Sequence, residues 1–155
     1  MLGFKGQIIK LIDYDPYSYP SLDDDVYAEK EARLNRGLVK LEELKKSFPG
    51  SFILACPYGS LGDVVHALEY FPYFAEIRNI KNTVVAAIGE SNLKIARMYG
   101  HDKVRVYDWM DMTELVQAIL YTRDKDALIA HNDKPYAVYL PSALHIKLIS
   151  HEKMY

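Results

Sequence analysis

Four short runs limit what this chain can fold into more than any other feature. They are "SFILACP", "NTVVAAIG" (Asn82 to Gly89), "KVRVYDW" and "DALIAHN". Apolar runs of five or six residues bounded by turn signals suit strands buried on both faces, as in a parallel sheet. "KVRVYDW" alternates apolar and polar residues and reads as a shorter third strand. Each interval between the runs carries a helical pattern. Val64, Val65, Leu68 and Phe71 mark the first, with Pro72 expected to kink or end it. "ESNLKIARMYG" is the second, closed by Gly100, and "DMTELVQAILYTR" is the third, with Leu115, Ile119 and Leu120 near one face.

The alternation strand, helix, strand, helix, strand, helix, strand predicts a single α/β unit. Its sheet is expected to be Rossmann-like, doubly wound and mostly parallel, with helices on both faces. A further helix precedes the first strand. Leu34, Leu38, Leu41 and Leu44 recur at three- and four-residue spacing, Asp23, Asp24 and Asp25 suit its positive end, and Lys45 and Lys46 its negative end. Pro49-Gly50 stops it. Ahead of that helix, "GFKGQIIKLIDYD" reads as a short strand, and residues 13–22, with Pro16 and Pro20, as an irregular arm. Residues 1–50 are thus expected to form an arm and helix packed on a core domain of residues 51–155. The tail is interrupted by Pro135 and Pro141, and a helix is expected from Ser142 to about Ser150.

Composition narrows the function classes. With 155 residues, half of them hydrophobic and 26% charged, the chain has globular composition and enough length for one buried core. A formal charge of -2 gives no basic footprint for nucleic acid. No run reaches the roughly 18 apolar residues that a membrane span needs. A single cysteine and no basic-then-apolar leader lead us to expect a cytoplasmic protein. That cysteine, Cys56, lies in a strand with nothing nearby to activate it and is read as core. The five histidines show no paired metal spacing, so no metal and no cofactor is expected. Thirteen tyrosines include short aromatic groups such as Tyr70, Phe71, Tyr73 and Phe74, which suit core packing as well as sugar stacking.

In doubly wound sheets ligands bind beyond the carboxyl ends of the strands. Here "YGSLGD", Tyr58 to Asp63, follows the first strand at such an end. Gly59 and Gly62 permit close approach to the backbone, and the first amides of the next helix are available to a phosphate or sugar oxygen. The stretch is neither a Walker loop, since no lysine follows, nor Gly-x-Gly-x-x-Gly. Two roles fit Asp63: complementing the helix dipole, or accepting a proton from an attacking sugar hydroxyl. His66, three residues on, is either a partly buried helix residue or a member of the cleft rim.

The stretch "GSLGDVVHAL" resembles the N-terminal segment of the ADP-heptose:lipopolysaccharide heptosyltransferases, a glycosyltransferase family of two-domain GT-B fold. Ser60, Gly62, Asp63, Val64, Val65, His66 and Leu68 carry the match, and a looser likeness continues to about Trp109. The resemblance implies sugar transfer from a nucleotide-sugar to a glycan acceptor of the cell envelope. By it Asp63 corresponds to the general base, while Ser60 and Gly62 line the cleft, with Tyr58, Gly59 and His66 beside them as substrate-binding candidates. Where the family has a basic residue, this chain has Pro57-Tyr58-Gly59. The sequence covers one Rossmann-like unit, so a nucleotide-binding C-terminal half is expected from a partner or by homo-oligomerisation. The alternatives are a non-catalytic module that binds a glycan, a nucleotide or a protein, and a plain α/β protein whose Gly-Asp turn is coincidental.

Overall fold

The computed structural model describes residues 24–131, 137–140 and 145–148. The expected opening strand, the irregular arm and Asp23 lie outside them. The described elements are helix α1 (Asp24–Ser47), strand β1 (Phe52–Cys56), α2 (Leu61–Ile77), β2 (Thr83–Ile88), α3 (Gly89–Met98), β3 (Val104–Tyr107), α4 (Trp109–Thr122), β4 (Ala127–His131), β5 (Ala137–Leu140) and β6 (His145–Leu148).

The sheet order is β3-β2-β1-β4-β5-β6. The first four strands are mutually parallel, with Leu54 opposite Val85 on one side and Leu128 on the other. This is a Rossmann-like order: the chain winds from β1 outward to β3, then returns to the far side of β1. The apolar runs of β1, β2 and β4 therefore have a local reason. A central parallel strand is covered on both faces, so both sets of alternating side chains must be apolar. Ile53, Ala55, Val84, Ala86, Ala127 and Ile129 face α1 and α4. Leu54, Cys56, Val85, Ala87, Leu128 and Ala130 face α2 and α3.

On the α2 side Phe52, Phe71 and Phe74 form an aromatic triangle with ring centroids 6.1–6.2 Å apart. On the other side α1 lies tightly on α4. Gly37 makes that possible, because a β-carbon there would collide with the carbonyl of Glu114. Arg36 and Lys40 reach past it to the buried Glu114 carboxylate, at 2.9 and 2.7 Å.

Two expectations need correcting. Pro72 does not end its helix; α2 runs through it to Ile77. Phe71 and Phe74 are buried on either side of the exposed proline, so core packing holds the turn that its missing N–H weakens. The tail is no helix at His145–Leu148, which is strand β6, antiparallel to β5 with Tyr139 opposite Ile146. The order His-Ile-Lys-Leu alternates polar and apolar residues, and a hairpin partner satisfies backbone groups that β5 would otherwise leave open at the sheet edge. The rest of the expected 142–150 helix lies outside the described residues.

Candidate functional site

The sequence-predicted residues fall where β1 ends and α2 begins, at the carboxyl edge of the sheet. Cys56 closes β1, the loop 57–60 turns outward, and Ser60 is the N-cap of α2 in an extended conformation. The winding of the sheet reverses between β1 and β4, so this loop stands at the switch point. Tyr58 spans that point. Its hydroxyl donates to the carbonyl of Ala130 at 2.7 Å, tying the loop to β4, and its ring packs against the core on the α2 side.

The helix start is open. The Ser60 side chain makes no cap hydrogen bond, in contrast to Asp108, which accepts from the amide of Asp111 at 2.7 Å and caps α4. Among the described residues the amides of Gly59, Ser60, Leu61 and Gly62 find no backbone acceptor. Helix α3 starts beside α2 directly at Gly89, also without a side-chain cap. Two positive helix ends therefore meet at this edge. Asp63 and His66, one helical turn apart on α2, are both half-buried, while Gly59, Ser60, Leu61 and Gly62 are exposed.

The two glycines have no structural necessity within the chain. Neither is in the left-handed region, which is occupied instead by Gly50, Gly89 and Gly100. A β-carbon on Gly59 would meet nothing within 4 Å, and one on Gly62 would meet only the Ser60 hydroxyl at 3.8 Å. Folding alone would tolerate alanine at both.

One residue of this region escaped the sequence reading. Asn92, in the first turn of α3, is 1% exposed, and its side-chain amide donates into the loop. The signal was present: Asn92 lies four residues before the buried Ala96, on the apolar stripe of α3, where a polar residue needs a partner.

Titratable groups elsewhere have structural causes. Burial raises the Cys56 thiol to about 12 and makes it an inert core residue. Burial also raises the Tyr107 hydroxyl to about 12. Among the described residues no group of three or more His, Cys, Asp or Glu side chains is placed to hold a metal ion. No helix among them is long and apolar enough to cross a membrane.

Two surface cavities lie at the opposite, amino edge of the sheet. One of about 520 Å³ is lined by Lys45, Arg78, Lys81, Phe52 and Asp126, among others; another of about 290 Å³ lies beside His101 and Lys103. Neither includes a sequence-predicted site residue. Their cations have a local explanation, since Lys45 and Arg78 stand at the carboxyl ends of α1 and α2, where a positive charge is favoured, and Lys45 is paired with buried Asp124. Burial lowers the His101 imidazole below its ordinary range, opposed by the nearby Asp102.

Comparison with protein-family models, with curated proteins and with solved structures returned no match.

Proposed function

We propose that this chain is the acceptor-side unit of a GT-B-type glycosyltransferase. Its open α2 start would hold oxygen atoms of a glycan acceptor, and Asp63 would act as the base. In that reaction the acceptor hydroxyl oxygen forms a bond to the anomeric carbon of a nucleotide-sugar. The bond from that carbon to the nucleoside diphosphate breaks, the diphosphate leaves with the electron pair, and the hydroxyl proton passes to the Asp63 carboxylate. The nucleotide would be held by a second unit, supplied by a partner chain or a second copy.

The observation that carries this reading is the pair of exposed glycines at the switch-point edge, which the fold itself does not require. What they provide is an uncovered row of N–H donors beside a carboxylate. The likeness of "GSLGDVVHAL" to the heptosyltransferase segment supplies the reaction class.

Titration with a deacylated, phosphorylated lipopolysaccharide core oligosaccharide tests it. Gly62→Ala should lose about tenfold or more in affinity while its melting temperature stays level or rises, because alanine favours a helix over glycine by roughly 0.5–1 kcal/mol. Asp63→Asn should keep its affinity within about twofold. With a nucleotide-binding unit and nucleotide-sugar supplied, it should lose about a hundredfold or more in transfer rate. Full transfer by Asp63→Asn removes the base assignment. Oligosaccharide binding by a wild type that transfers no sugar under those conditions makes the chain a non-catalytic glycan binder instead.

A further inference from the structure

We propose that Asn92 is a positioning residue that sets which way the peptide groups of the 57–60 loop face; this inference rests on the reading of that loop as the acceptor site. Asn92 belongs to a different helix and lies over 30 residues away in sequence. Its Nδ2 donates to the carbonyl of Tyr58 at 3.0 Å and of Ile88 at 2.9 Å, with a longer third contact to the carbonyl of Gly59 at 3.4 Å. Three carbonyls converging on one atom require a nitrogen there, since an amide oxygen would face three like dipoles. Among the described residues the Asn92 Oδ1 has no hydrogen-bond partner, so the amide is anchored by its donor end.

The geometry of the peptide bond carries the consequence outward. In a planar trans unit the carbonyl and the following N–H point in opposite directions. Drawing the Tyr58 and Gly59 carbonyls inward onto Asn92 turns the N–H groups of Gly59 and Ser60 away from it, on a loop whose Gly59 and Ser60 are exposed. Those two amides then continue the row begun by Leu61 and Gly62 at the start of α2. The bond to Ile88 fixes the same side chain to the end of β2, so the row is held against the sheet and not merely against a neighbouring loop. Tyr58 supplies the second tie, to β4. A merely structural asparagine would contribute stability; a positioning one also sets affinity in molecules that remain folded.

The test uses the whole chain, amide NMR and the same deacylated core oligosaccharide. In the wild type, titration should shift the amide signals of Gly59, Ser60, Leu61 and Gly62, and the Asn92 side-chain NH2 protons should exchange with solvent slowly. Asn92→Leu, similar in volume but without donors, is compared below its own melting transition. It should bind the oligosaccharide about tenfold or more weakly, with the Gly59 and Ser60 amide signals displaced before any ligand is added. Affinity within twofold of wild type in folded Asn92→Leu overturns the assignment and leaves the site standing. An absence of loop shifts in the wild type overturns the site reading and the assignment with it. Should Asn92→Leu not fold, the wild-type side chain decides: NH2 exchange at the rate of a solvated amide overturns the proposal, and slow exchange that slows further on ligand binding supports it.

Discussion

At the scale of single residues, Asn92, Glu114 and Asp124 are the polar side chains buried among the apolar core of the described residues. Glu114 is the clearest case. Burial works to raise its carboxyl, but the hydrogen bonds from Lys40 and Arg36 outweigh it and hold the group below its ordinary value of 4.5. With the folded value depressed, the unfolded chain takes up the proton first as the pH falls. The stabilisation is therefore complete above about 4.5 and is lost as the pH drops through the folded value. Glu114→Gln should cost about 1–2 kcal/mol at neutral pH and flatten the acid limb of a plot of melting temperature against pH. An acid limb unchanged by the substitution would place the sensitivity elsewhere, with Glu43, lowered chiefly by its hydrogen bonds from Arg105, the next group to examine. Asn92 shows the same logic without charge. The partners of neither residue were legible in sequence, because Glu114 lies 78 residues from Arg36 and 74 from Lys40, and Asn92 lies 34 from Tyr58. Local patterns report what a residue prefers but not which distant group meets it.

At the scale of elements, three helices stop by one device. In α2, α3 and α4 the chain turns at Asn79, Gly100 and Arg123, each in the left-handed region. The amide of that residue bonds back to the carbonyl three before it, and the next amide to the carbonyl five before it, as in Asn79 to Glu76 and Ile80 to Ala75. Only Gly100 announces itself in sequence, since glycine takes that conformation without penalty. Asparagine is tolerated there, and arginine is not favoured. Arg123 is exposed, so Arg123→Gly should stabilise the protein by about 0.5–1 kcal/mol, read as a higher melting temperature by calorimetry. A fall in melting temperature would mean that the arginine side chain contributes more than its backbone conformation costs. The strands were legible for the opposite reason. A central parallel strand needs apolar residues on both faces, and that requirement is written contiguously. Strands β5 and β6 lie beyond the parallel part and pair in hairpin fashion. The Ala-Val-Tyr-Leu run of β5 is only four residues long and sits between Pro135 and Pro141, and β6 alternates polar and apolar residues, so neither carried as clear a signal.

At the scale of the whole molecule, the sheet divides the core into two apolar layers, and Cys56 reports on one of them. Its thiol is fully buried in the α2–α3 layer and raised to about 12. Native protein at pH 8 should react with iodoacetamide at least about a hundredfold more slowly than urea-unfolded chain, since reaction requires an opening that exposes β1. Rapid modification of the native protein would show that this layer opens far more readily than its packing implies. The two ends of the sheet also differ in kind. The amino edge gathers helix carboxyl ends with their cations, whereas the carboxyl edge gathers the uncapped starts of α2 and α3 and the Tyr58–Asp63 loop. The exposed Trp109 and Met110 begin α4 at that same carboxyl edge.

The sequence by itself determined the layer order, the four parallel strands and the placement of "GSLGD" at a strand's carboxyl end. Those features follow from contiguous patterns of burial, which short-range periodicity records. Only the tertiary structure decided that a β-carbon at Gly59 or Gly62 would meet no obstacle, that Tyr58 bridges to β4, and that the Asn92 side chain bonds to the carbonyls of the loop. Each of these depends on atoms brought together from distant parts of the chain, and a hydrogen bond needs both partners in place before it has a direction.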